Sequence, residues 1–169
     1  MSSANLIRLG GLAAIMAGIL RGANSFLPSS IPIIQLELLY LLTDIFLLYG
    51  MMGLYAFQCQ ESGLWGFGGF LLAIIGVAVI RTRVIAGVNM YAIGASIFVV
   101  GLSLFAVGSW LAAKFPRWVS VVWVLSTVIG FLGYFLPGFN LLFVISGVLF
   151  GVGFTGAGLR VWSATSPQP

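Results

Sequence analysis

The chain has 169 residues, 61% of them hydrophobic and 6% charged, with a mean hydropathy of +1.18. A water-soluble domain carries about 25% charged residues, so this composition excludes a soluble globule and makes lipid the solvent for most of the surface. The formal net charge of +4 comes from seven basic residues scattered through apolar sequence. They form no nucleic-acid patch and read as membrane-interface anchors.

Spanning the hydrocarbon core takes about 20 apolar residues. In chain order, six stretches qualify: Leu6 to Leu20, Ile33 to Phe57, Leu64 to Val84, Val88 to Ala113, Val119 to Leu136, and Leu141 to Trp162. The first resembles a signal peptide in its Arg8, apolar run and small residues near Ala23 and Ser25. Arg21 interrupts the end of that run, so a membrane helix is expected instead. The breaks between spans are chemical: PSSIP (28–32), QCQESG (58–63), RTR with AGVN (81–89), KFPRW (114–118) and LPGFN (136–140). A single helix from Leu71 to Ala113 would run about 65 Å, twice the bilayer core, so a tight turn is expected at RTR. Asn140 is expected to cap the last helix. The fold class expected is an all-α polytopic transmembrane bundle of six helices with short loops. Residues 1–163 form one domain and 164–169 a polar tail.

The tryptophans agree with six spans. Odd helices then start on the N-terminal side and even helices end there. That places Trp65, Trp110, Trp118 and Trp162 on one face, as an aromatic belt at an interface requires, with Trp123 just over a turn deeper. Lys114 and Arg117 join them as interface anchors. Arg8, Lys114, Arg117 and Arg160 lie on that side and Arg21, Arg81 and Arg83 on the other, a slight lean toward a cytoplasmic N-terminus.

Glycines hint at a 3+3 inverted repeat. GLAAIMAG (11–18) resembles GASIFVVG (94–101), GMMGLY (50–55) resembles GFLGYF (130–135), and Gly76 has surroundings like those of Gly147. Such repeats occur in many transporters. Spacings such as Gly50 to Gly53, Gly94 to Gly101 and Gly147 to Gly151 allow helices to approach closely. GFGGF (66–70) lacks the lysine and the preceding strand of a phosphate loop.

The chemistry-bearing residues are few. Histidine is absent and Cys59 is alone, so no disulfide, metal site or cofactor is expected. Neither a serine–histidine pair nor a dense carboxylate cluster exists, so no enzymatic activity is expected. Glu37 and Asp44, seven residues apart, project from one face of the second span, with Tyr40 near them. Asp44 sits about 16 Å into its span, where an unpaired carboxylate is costly. The expected partner of Glu37 is Arg21 or Arg81. For Asp44 it is a long arginine reaching inward (Arg21, Arg81 and Arg83 are all on that side), Asn89 or a tyrosine hydroxyl. Such groups either fasten helices together or form a substrate or proton site.

GLYAFQCQESGLWGFGGFLLAIIGVAVI (53–80) resembles a pattern in small bacterial multi-pass membrane proteins of unassigned function: a helix ending in Gly-Leu-Tyr, a Gln/Glu-containing turn, then a Gly-rich helix. The resemblance implies a bacterial inner-membrane helical bundle and carries no functional residues. Three functions are compatible. One is a non-catalytic accessory or scaffold subunit that binds a partner membrane protein, a second copy or lipid through helix faces. Another is a small transporter or channel built on Asp44. The third is a binder of a quinone, carotenoid or lipid.

Overall fold

The computed structural model describes residues 3–28, 30–136 and 139–165. Six helices account for nearly all of them: α1 Ser3–Asn24, α2 Ile33–Gln58, α3 Gly63–Thr82, α4 Met90–Ala112, α5 Arg117–Phe135 and α6 Asn140–Ala164. Each is long and apolar enough to cross a bilayer. The fold is therefore an all-α six-helix bundle.

Helix ends follow local chemistry. α2 starts after Pro32 and α5 after Pro116, where a ring-fixed φ suits the residue before a first helical turn. α4 ends at Ala113, whose left-handed φ of 52° lets its N–H bond the Ser109 carbonyl. The turn at RTR–AGVN is more than a bend. Val84–Ile85 (β1) and Val88–Asn89 (β2) pair as a minimal antiparallel hairpin, with φ values of 50° at Ala86 and 81° at Gly87. Asn140 corrects its expected role: it is the first residue of α6, the cap position belongs to Phe139, and no side chain caps that end. Of the polar tail, residues 166–169 and, of LPGFN, Pro137 and Gly138 lie outside the described residues.

The helices close a ring. α3 packs most extensively on α4 and α1 on α6, with α1–α2 and α5–α6 next. The α4–α5 and α2–α3 seams are thin. The centre is aromatic: Trp123, Phe105 and Phe154 are wholly buried, with Phe115 and Phe150 against them.

The two closest seams share one design. On α4, Gly94 faces Ile80 and the Gly76 carbonyl, and Gly101 faces Ala73; on α1, Gly11 faces Val161 and the Gly158 carbonyl, and Gly18 faces Thr155 and the Gly151 carbonyl. In return Gly76 meets Phe98 where Gly158 meets Ile15, and Gly69 meets Phe105 where Gly151 meets Gly22. Position for position, α4 maps onto α1 and α3 onto α6, with the direction across the membrane reversed. The expected match of 11–18 with 94–101 has this contact pattern. Gly76 does not: its counterpart is Gly158, while Gly147 packs on Ser25. The α2–α5 match also departs from the repeat, because Gly50 and Gly53 pack on α1 whereas Gly130 and Gly133 pack on α6.

Candidate functional site: two layers of polar contacts

Polar side chains concentrate toward the two ends of the bundle, with Ser103–Thr127 and Ser126–Ser146 contacts joining α4, α5 and α6 between them. The layer opposite the N-terminus contains the residues singled out from sequence. Asp44 on α2 is ion-paired with the Nε of Arg81 on α3, and Glu37 pairs with Arg83 Nη2 at 2.6 Å. Glu37 therefore does not pair with Arg21 or Arg81 as expected. Arg81, the penultimate residue of α3, reaches the deeper acid; Arg83, just past the helix end, reaches the shallower one. Arg21 is half-buried on α1 and makes no ion pair among the described residues. Asn89 does not reach Asp44: its Oδ1 accepts from Tyr91 N at 2.9 Å and caps α4. Tyr40 is half-buried on α2 and makes no hydrogen bond among the described residues. Beside the acids, Asn24 donates to Thr43 Oγ1 at 3.0 Å, which joins α1 to α2.

The layer on the N-terminal side was less legible. Gln58, fully buried at the end of α2, donates to Ser109 Oγ on α4 at 2.8 Å. Glu61 pairs with Lys114 Nζ at 2.8 Å, and Arg160 Nε donates to the Lys114 carbonyl at 3.4 Å. The polarity of QCQESG was the only signal for this cluster, because the partners lie far along the chain. Around it stand the belt tryptophans. Trp65, Trp110 and Trp118 are exposed and Trp162 half-exposed, whereas Trp123 is core. The Arg117 guanidinium carbon lies 5.3 Å from the Trp110 ring centre, and that of Arg8 lies 4.0 Å from Trp162. Cations over indole faces in this way suit a membrane interface.

Chemically, all three acids of the chain are neutralised by basic side chains. Two of those pairs cross the thin α2–α3 seam. No group of three or more metal-ligating side chains exists among the described residues. Two of the surface grooves among the described residues bear on function. One, of about 310 Å³, runs between α4 and α5 past Ala106, Trp110 and Val121; the other, of about 360 Å³, lies beside Arg8 and Trp162. Neither is lined by Asp44.

Six apolar helices, an aromatic belt on one face and polar layers at the two ends define a polytopic integral membrane protein. No family model, curated protein or solved structure matches the chain.

Proposed function

We propose that this protein is a non-catalytic accessory or scaffold subunit of a bacterial inner membrane, with a cytoplasmic N-terminus, that binds a partner membrane protein through its helix faces. The observation that carries this reading is the engagement of Asp44. The one acid deep enough to serve a substrate or proton is held by Arg81, above an interior filled by Trp123, Phe105 and Phe154. Polar groups used in this way fix helices against each other. The short loops leave the helix faces as the main surface for a partner. Purification in a gentle detergent followed by native mass spectrometry tests it. A second polypeptide retained at fixed stoichiometry is expected; a chain that runs alone at every detergent strength overturns the reading.

One observation favours a second reading, a small transporter. The α1–α6 and α4–α3 pairs are related by inversion across the membrane, the arrangement on which alternating access is commonly built, and the ion pairs sit at a thinly packed seam. On this reading Asp44→Asn abolishes flux into liposomes. Equal flux with and without the substitution removes it.

A further inference from the structure

We infer that the groove between the start of α1 and the end of α6 binds the phosphate of an anionic phospholipid, with Arg8 as its principal donor. Asn5, Arg8, Leu9 and Trp162 line this groove, whose volume is about 360 Å³. The three acidic side chains are taken by Arg83, Arg81 and Lys114, so among the described residues Arg8 has no carboxylate of its own. Its guanidinium lies over the Trp162 ring. An indole face offers the guanidinium no lone pair, so its N–H donors, the part that matches phosphate oxygens, are not satisfied by that contact. Arg8 Nε is buried and has no hydrogen-bond partner among the described residues. The rest of the half-exposed guanidinium makes no hydrogen bond or ion pair among the described residues either. Unpaired donors are costly in a medium poor in water, and an anionic oxygen in the groove supplies the exposed N–H groups with both an acceptor and a countercharge.

Two further features fix the class of ligand. Arg8 lies in the second turn of α1, roughly 8 Å along the axis from Ser3, the depth of headgroups rather than of acyl chains. The positive end of the α1 dipole is close by. Below it Leu9, Leu12 and Met16 form an exposed apolar stripe on the same helix, a wall for an acyl chain that a free phosphate ion would not use. The site stands whether or not the protein has a protein partner.

The test is native mass spectrometry of the full chain in mild detergent with added phosphatidylglycerol or phosphatidylcholine. Preferential retention of phosphatidylglycerol is expected, and Arg8→Gln lowers it about fivefold, the effect of one basic residue at a charged membrane surface. A second variant guards against a folding defect. Asn5→Glu places a carboxylate three residues from Arg8 in the first turn of α1, where it favours the helix. It is expected to lower retention to a similar extent by occupying Arg8 from within. Equal retention of the two lipids, or retention unchanged by both variants, overturns the proposal. So does displacement of the lipid by millimolar inorganic phosphate, which would make the free ion the ligand.

Discussion

Asp44 on α2 and Arg81 on α3 form an ion pair across the most thinly packed seam between consecutive helices. At the other end of the seam Tyr55 stacks on Phe70; at this end the helix backbones lie apart, so charge carries a large share of the contact. Removing one partner leaves the other uncompensated in a poor solvent, whereas removing both does not. Asp44→Asn and Arg81→Gln should each lower stability by about 1–3 kcal/mol. The double variant should lose less than the sum. Unfolding in mixed micelles around a double-mutant cycle measures this, and strict additivity would refute it.

The glycine seams give a paired prediction. A side chain at Gly18 meets the Gly151 carbonyl and Thr155, and one at Gly101 meets the Ala73 backbone. Backbone cannot step aside, so Gly18→Val and Gly101→Val should each cost about 1–3 kcal/mol. Gly22 and Gly68 have open space where a Cβ would stand. Alanine at either should leave thermal stability unchanged in detergent. Loss at these two positions comparable to that at the first two would contradict the seam geometry.

At the opposite end, the Gln58–Ser109 contact predicts a sign. Gln58 Oε1 is buried without a partner among the described residues, so the pair is only half satisfied. Ser109→Ala also strands the Gln58 amide and should cost about 1–3 kcal/mol. Adding Gln58→Leu to that variant should recover most of the loss, because both polar groups are then gone. A double variant less stable than Ser109→Ala would show that the Gln58 amide is not stranded once Ser109 is gone.

The hairpin between α3 and α4 carries strain that can be relieved. Ala86 holds φ at 50°, a region where a Cβ is disfavoured, and Gly87 follows at 81°. Asn-Gly is the sequence such a turn prefers. Ala86→Asn should therefore raise the melting temperature, with a gain of about 0.5–1 kcal/mol. A fall would mean that the turn is held open by contacts outside the hairpin.

The number of helices was readable because bilayer thickness sets their length, and Pro, Gly and charged residues mark where each run stops. The rotation of each helix was not readable. Apolar residues surround these helices, so no stripe tells inside from outside, and only the glycines hint at a face. Membrane side was therefore easier to assign than partner. Glu37, Arg21, Arg81 and Arg83 were all placed at one end, yet the choice of Arg83 for Glu37 depends on how far Arg81 reaches down to Asp44. Asn89 misled for a local reason: a short polar side chain before a helix finds the backbone N–H two residues on sooner than a carboxylate on another helix. The repeat was half visible. Its α1–α4 member has glycines at matching spacing, while its α3–α6 member was set about three turns off, because Gly147 was matched to Gly76 in place of Gly158.

The two matching seams differ in when they can form. α3 and α4 are neighbours in the chain, so their seam can close as soon as the second of them enters the membrane. The glycine face of α1 that carries Gly11 and Gly18 waits for α6, which is made only after α2 to α5. Until α6 leaves the ribosome, Gly11 and Gly18 have only lipid against them. The nascent chain thus carries an open, small-residue face while the next four helices are made, and a product arrested before Asn140 would keep it open, a ready substrate for membrane quality control.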